Sequence, residues 1–309
     1  MRIGIDLGGM SIKAGLVNDN YEIIYKDSVV TDVEHGGEKI VADIIGLIRS
    51  VLDQNPGCSV DGIGIGVPGH VDKEQMVKGC NNIPLNDVDL RTEIKAATGI
   101  ETAVDNDANV AALGEVLAGA AKKYHNAVMI TIGTGIGSGI IINDQILRGC
   151  NGAAGELGHD VIVKDGIPCN CGRNGCYEKY ASATALIEYT KEAMMREPDS
   201  LMWSLCGGDI DAVNGKTSFD AWRQNDPAGI AVVNRFISYL AVGIVNVVNI
   251  FQPDAVIIGG GISKEGNTLI KLIEEVLVRE RYSQSGIQSE LLIAELGNDA
   301  GIIGASQLV

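Results

Sequence analysis

The sequence predicts an α/β fold in two related lobes, and three observations lead there. Strand and helix patterns alternate through both halves of the chain, as they do in layered α/β folds. The segment IGIDLGGMSIKAGLV at residues 3–17 is echoed by MITIGTGIGSGIII at residues 129–142, each a strand, a glycine turn and a second strand. One echo at long period fits two lobes and not a solenoid. Glycine-rich turns follow apolar strands at Gly8-Gly9, Gly133–Gly139 and Gly259–Gly261.

The elements follow in order. Arg2–Asp6, Ile12–Val17 and Ile23–Val30 alternate apolar and polar residues between turn signals and read as strands. Gly37–Gln54 has Ile40, Val41, Ile44, Ile45, Ile48, Val51 and Leu52 at helical spacing. Asp61–Val67 is a strand closed by Pro68-Gly69, Asp87–Thr98 a helix and Glu101–Asp105 a short strand. Asn106-Asp107 opens a helix to about Ala121, and either residue can cap it. Ala127–Ile132 and Gly139–Ile142 form a strand pair, and Ser182–Arg196 is helical. Residues 197–225 are polar and read as short helices and loops. Pro227 starts a long helix to Phe251, in its favoured first-turn place. A strand at Ala255–Ile258, a helix at Ser263–Arg279, a strand at Glu290–Ala294 and a closing helix from about Ala300 end the chain.

With 309 residues the chain has room for two cores. Its net charge of −16 speaks against nucleic-acid phosphates as partners. The N-terminus MRIGIDLGG has no apolar signal region, and Phe236–Pro253 reads as a buried helix, so no membrane is expected. Seven cysteines, an odd number with three at metal spacing, point to a reducing cytoplasm.

The strongest chemical signal is GELGHDVIVKDGIPCNCGRNGCYE at residues 155–178. His159, Cys169, Cys171 and Cys176 follow the spacing H-x9-C-x-C-x4-C. One imidazole and three thiolates fit a closed tetrahedral zinc site of the structural kind. Glu156 and Glu178 bracket it and are hard oxygen groups that such a site does not need.

The glycine turns fit phosphate, since amides without a Cβ in the way approach anionic oxygens closely. Asp6, at the end of the first strand, is placed to hold Mg²⁺. Lys13 could add positive charge, although alternation could also turn it to solvent. The second turn opens a strand and not a helix, so it is no dinucleotide fingerprint. Asp107 is the candidate general base, favoured as an anion at a helix N-terminus, and its bland alternative is a simple N-cap. Each glycine turn taken singly reads equally well as an ordinary hairpin or strand-to-helix link.

Taken together these residues resemble the ROK family (repressors, open reading frames and sugar kinases) over essentially the whole chain. Gly155–His159 and Cys169–Glu178 carry the resemblance most specifically, with DNDAN at 105–109, VPG at 67–69 and GGGIS at 259–263. The resemblance implies a two-lobed actin/hexokinase/Hsp70-like ATPase fold, with ribonuclease H-like lobes and a zinc-binding loop at 156–178. Residues 1–112 plus about 300–309 would form the smaller lobe and 113–299 the larger, the two closing on ATP and sugar. It implies ATP-dependent phosphorylation of a hexose, glucose first, with N-acetylmannosamine, mannose or fructose as alternatives. Asp107 would be the base. Gly69, Asn82, Asn106, Glu156, His159 and Glu178 would bind the sugar. Asp6, Gly8, Gly9, Ser11, Lys13, Gly133, Thr134 and Gly135 would meet phosphate and Mg²⁺, and Gly259, Gly260 and Gly261 the adenosine. His159, Cys169, Cys171 and Cys176 would hold a structural Zn²⁺. A homodimer is the family expectation.

The family usually has Thr where this chain has Met10, and a thioether donates no hydrogen bond, so Ser11 or the glycine amides would compensate. The family also contains sugar-responsive repressors with an N-terminal helix-turn-helix. A strand beginning at Arg2 and a charge of −16 argue against that reading. A sugar-binding regulator without catalysis is the alternative of a different class.

Overall fold

The computed structural model describes residues 1–80, 82–280, 282 and 289–309. It is α/β, as the alternating pattern predicts. Two compact units emerge. The first comprises Met1–Met129, Gly139–Gly155 and Ala294–Val309, and the second Ile130–Ser138 and Glu156–Ile293.

In the first unit, β1 (Arg2–Leu7), β2 (Ser11–Val17) and β3 (Ile23–Val30) form an antiparallel meander. The helix α1 (Gly37–Gln54) leads to β4 (Gly62–Val67), and a hairpin of β5 (Gly69–Val71) and β6 (Val77–Cys80) follows. The helix α2 (Leu90–Thr98), β7 (Thr102–Asn106) and α3 (Asp107–Leu117) come next. The sheet order is β3-β2-β1-β4-β7, with β1, β4 and β7 parallel.

The two faces of this sheet have different jobs, because side chains alternate along a strand. Ile3, Ile5, Ile63 and Ile65 share a core with Ile40, Ile44, Leu47, Ile48 and Val51 of α1, all at most 2% exposed. Gly4 and Gly64 point the other way and leave a channel. The closing helix lies in it. A Cβ on Gly4 would sit 1.8 Å from the carbonyl oxygen of Ile302, and one on Gly64 1.7 Å from that of Ala305. The same helix presses Gly304 against α3, where a Cβ would be 1.7 Å from the Val110 carbonyl oxygen.

A stability prediction follows from that contact. Gly304→Ala is expected to cost about 3 kcal/mol, since backbone and not a flexible side chain must give way. That lowers the melting temperature by about 6–12 °C. Gly46→Ala, on the exposed side of α1 with nothing within 4 Å of the new Cβ, is expected to be neutral or to raise it. Thermal melts followed by circular dichroism check both.

The pattern extended the third helix to about Ala121, but α3 stops at Leu117. Buried Glu115 explains the stop. Its Oε2 accepts from the amides of Ala120 at 2.9 Å and Glu295 at 3.1 Å, and its Oε1 from Leu296 at 2.8 Å. The carboxylate turns the chain and fastens the segment before the closing helix.

The second sheet has the order β10-β9-β8-β11-β12, from β8 (Ala127–Ile132), β9 (Ile136–Ile142), β10 (Gln145–Ile146), β11 (Ala255–Gly260) and β12 (Glu290–Ile293). The helices of the second unit are α4 (Glu178–Ala181), α5 (Ala183–Arg196), α6 (Leu201–Leu205), α7 (Thr217–Arg223), α8 (Pro227–Phe251) and α9 (Asn267–Glu280). The chain closes on α10 (Ala300–Ser306), the helix seated on Gly4 and Gly64.

Among the described residues α8 alone is long and apolar enough to cross a membrane by composition. Thirteen of its residues, from Ala228 to Val248, are buried in the structure. The Tyr177 ring fills the space above Gly243 and its hydroxyl donates to the Leu240 carbonyl at 2.7 Å, while Phe219 meets Phe236 edge-on.

Candidate functional site

In the first unit the site begins where β7 becomes α3. Asn106 keeps an extended backbone, and its Oδ1 accepts from the amides of Ala108 at 2.9 Å and Asn109 at 3.2 Å. Asn106 is therefore the cap, and Asp107 is the first helical residue. The Asp107 carboxylate touches the positive helix end through the Ala108 amide at 2.8 Å. The Asn106 side-chain amide donates to the Gly69 carbonyl at 3.1 Å, tying the cap to the β5–β6 hairpin. Gly69 has to be glycine, since a Cβ there would lie 2.2 Å from the Gly79 oxygen and 2.8 Å from Cys80 Sγ. Burial, helped by the charge of Asp107, pushes the Cys80 thiol up to about 11. Cys80 and Asp107 are therefore electrostatic neighbours. Asn82 is exposed, two residues beyond β6.

The first glycine turn joins β1 to β2. Antiparallel pairing sets Asp6 opposite Lys13, and Lys13 Nζ meets Asp6 Oδ2 at 3.2 Å. The register thus answers which way Lys13 faces. The turn closes by Gly8 N–H donating to the Ser11 carbonyl at 3.0 Å, and Thr31 Oγ1 donates to the Gly8 carbonyl at 2.6 Å. Met10 stands at its tip, 87% exposed, and contributes no polar group.

In the second unit the other two glycine turns are neighbours. Gly260 has φ +83°, and a Cβ on it would lie 2.4 Å from the carbonyl oxygen of Ile132, the last residue before the second turn. The pattern ended a strand at Ile258 and began a helix near Ser263. The structure instead runs β11 through Gly260 and follows it with a 3-10 turn, Gly261–Glu265, before α9. The second turn is fixed from α5. Ala183 N–H donates to the Gly133 carbonyl at 2.9 Å and Thr184 Oγ1 to the Thr134 carbonyl at 2.8 Å. Over Gly135 lies Glu178, whose Oε2 would be 2.5 Å from a Cβ at that position.

The other end of Glu178 reaches the cysteine cluster. Its Oε1 is 3.2 Å from Cys169 Sγ and 3.9 Å from His159 Nδ1. His159 Nδ1, Cys169 Sγ, Cys171 Sγ and Cys176 Sγ all lie within 4.8 Å of one another. Cys169 Sγ to His159 Nδ1 is 3.7 Å, and Cys171 Sγ to Cys176 Sγ is 3.5 Å. A tetrahedron with metal–sulfur bonds of about 2.3 Å has edges of about 3.8 Å, so these four atoms fit one ion. Burial pushes the Cys169 thiol up to about 12, while the Arg173 backbone amide pulls Cys171 down. A bound cation would favour the thiolate form of these cysteines, since a metal ligand must be deprotonated.

The loop is held from several sides. Cys169 N–H donates to the Arg173 carbonyl at 2.8 Å and Gly172 N–H to the Cys169 carbonyl at 3.0 Å. His159 ends a 3-10 turn, Leu157–His159, whose first amide donates to Ser138 Oγ at 3.2 Å. Glu156 stands exposed at the residue before that turn, without a side-chain capping bond.

The pattern of the ROK family matches residues 2–309. The chain belongs to the ROK family. It is 37% identical over 311 residues to a glucokinase of Halalkalibacterium halodurans, covering 99% of this chain and 94% of that protein. The crystal structure of a ROK family glucokinase from Streptomyces griseus, in complex with glucose and AMPPNP, superposes with a TM-score of 0.83 at 34% identity. It covers 100% of this chain and 98% of that one. The chain is also 33% identical over 312 residues to the xylose repressor of Bacillus subtilis, covering 99% of this chain and 76% of the repressor. The actin/hexokinase-like α/β fold that the resemblance implied is the one found.

Within this ROK chain, the motif positions account for the glycine turns and the metal cluster but not for what holds them. Thr31 and Thr184 hold glycine turns through hydrogen bonds and lie outside every motif, while Ser138, within the second glycine turn, accepts from the Leu157 amide. Only Ser182 left a signal. It stands at the head of a helical pattern, and its Oγ accepts from Ala185 N–H at 3.2 Å.

Proposed function

We propose that this ROK protein is an ATP-dependent hexose kinase that converts glucose to glucose 6-phosphate. The observation that carries the chemistry is the division of labour at the start of α3. Asn106 caps the helix, and Asp107 stands as a carboxylate in its first turn, at the positive helix end, where a base would act on a sugar hydroxyl. The full-length likeness to glucokinases supports glucose as the substrate.

In this reading the sugar 6-hydroxyl attacks the γ-phosphorus of ATP, its O–H proton passes to Asp107, and ADP leaves with the electrons of the broken P–O bond. Phosphoryl transfer asks mainly for alignment and charge neutralisation, so one base and cationic support suffice. Asp6 would hold Mg²⁺, which neutralises phosphate charge, with Lys13 beside it. Gly9, Ser11, Thr134 and Gly135 would offer donors to the phosphates, Gly8 and Gly133 would close the turns that present them, and Gly259–Gly261 would give a flat surface to the adenosine.

Gly69, Asn82, Asn106, Glu156, His159 and Glu178 would hold the sugar hydroxyls. Zinc is the ion the His-Cys₃ set suits, and its role would be structural because all four positions are filled by protein. His159 offers Nδ1 to the cluster, which leaves its other nitrogen to donate towards the sugar. A cytoplasmic homodimer completes the proposal, and sedimentation equilibrium checks its oligomeric part.

The test is a coupled assay with ATP and a panel of glucose, mannose, fructose and N-acetylmannosamine, ranked by kcat/KM, with polyphosphate as a second donor. Glucose is expected to rank first. Another sugar at the head keeps the kinase and changes its substrate. No turnover with any of them would favour a sugar-responsive regulator without catalysis, the role that the likeness to a xylose repressor suggests.

A further inference from the structure

Next to Asn106 lies an ion pair between buried Asp105 and half-exposed Arg148 that the proposed mechanism does not use. The Asp105 side chain is 5% exposed. Its Oδ2 accepts from Arg148 Nε at 2.6 Å. Its Oδ1 accepts from the backbone amide of Asn106 at 2.8 Å and from Asn109 Nδ2 at 2.8 Å. One carboxylate therefore binds the capping residue, the first turn of α3 and a distant arginine.

The Asn109 side chain shows how strongly this arrangement is imposed. It is buried, and its Oδ1 has no hydrogen-bond partner. Turning the amide over would set that oxygen against the Asp105 carboxylate. The orphan oxygen is thus the lesser penalty, although leaving such a group unsatisfied costs about 1–3 kcal/mol.

Arg148 lies just after β10, on a loop tied once more to the first unit and once to itself. His70 Nε2 and the Asn151 carbonyl are 3.0 Å apart, and Ala154 N–H donates to the Arg148 carbonyl at 3.2 Å. Eight residues after Arg148 the chain reaches Glu156. The pair thus fastens this loop onto the strand that presents Asp107.

Resting on the kinase reading above, we propose that Asp105 and Arg148 are positioning residues for the phosphoryl transfer. They set the angle at which Asn106 and Asp107 leave β7, and they do so as a pair. Asp105 is buried while Arg148 is half-exposed, so removing Arg148 leaves the Asp105 carboxylate without its countercharge in the interior. Removing one partner strands the other charge, whereas removing both does not.

The experiment is a kinetic double-mutant cycle on the full chain with glucose and ATP. Arg148→Ala is expected to lower kcat at least about tenfold and to leave KM for ATP within about twofold. Asp105→Asn is isosteric and keeps an acceptor for the Asn106 amide. It guards against a misfolded alanine variant and is expected to show the same split. The double variant is expected to be no worse than Arg148→Ala alone, because the coupled loss is taken once.

Since Arg148 is 49% exposed, free guanidinium can enter its place. Millimolar guanidinium is expected to restore part of the lost kcat where sodium chloride of equal ionic strength does not. Unchanged kcat in both single variants, multiplicative losses in the double, or equal loss of kcat and ATP affinity tracking a fall in melting temperature would each overturn the assignment. An inactive wild-type enzyme would overturn the kinase reading and this inference together. An active wild type with unaffected variants overturns this inference alone.

Discussion

Asp107→Asn is expected to lower turnover with glucose by about 10²- to 10⁴-fold, the usual contribution of a positioned base. That corresponds to about 3–5 kcal/mol of transition-state stabilisation. The change keeps size and shape and removes only the charge. Capping survives, because the Ala108 and Asn109 amides are held by Asn106 and not only by residue 107. The lost helix-end interaction is worth about 0.3–1 kcal/mol, so the melting temperature should barely move. Glucose affinity, measured by titration calorimetry in the absence of ATP, is expected to stay within a few-fold.

Asn106→Ala is the informative contrast. It removes the cap at about 1 kcal/mol, and with it the bond to the Gly69 carbonyl. It should therefore lower melting temperature and sugar affinity together. An Asp107→Asn protein with full turnover would show that the base lies elsewhere.

The separation between these two residues shows where sequence reading reaches its limit. In the row DNDAN, Asn106 and Asp107 are both good caps, and spacing alone cannot choose between them. The backbone chooses: Asn106 stays extended while Asp107 turns helical. Lys13 is a similar case. Alternation along one strand leaves its direction open, and pairing with β1 brings it opposite Asp6. What the sequence made legible was local. The helix at Gly37–Gln54 and the strand at Ile23–Val30 have the expected ends, because unbroken periodicity runs between clear turn signals.

The parts that were not legible depend on distant partners. The hairpin of β5 and β6 has three and four residues and little alternation, so nothing local marks it. The end of α3 is set by Glu115 holding amides 180 and 181 residues further on. No window of neighbouring residues carries that information. Asp105 likewise reads as an ordinary acid at a strand end until Arg148, 43 residues away, arrives beside it.

The second large effect concerns the metal cluster. Metal analysis is expected to find about one zinc per chain, as a His-Cys₃ set requires. Cys171→Ser removes one ligand from an exposed position and leaves the buried Cys169 and Cys176 in their packing. It is expected to raise KM for glucose by about 10- to 100-fold, the scale seen when the support around a bound metal is lost. KM for ATP should stay within about twofold.

The asymmetry comes from how each part is held. Glu178 touches Cys169 Sγ with one oxygen, and His159 is itself a member of the cluster, so both lose their anchor with the ion. The second glycine turn hangs instead from Ala183 and Thr184 at the start of α5, below its own Ser182 cap. Those bonds do not run through the cysteines. Tyr177 also remains fastened to α8 through the Leu240 carbonyl, so the loss should stop at the loop. A well-folded, metal-free enzyme with unchanged sugar affinity would remove the cluster from the mechanism. Equal loss of sugar and ATP binding would mean that the ion supports the whole second unit and not only its own loop.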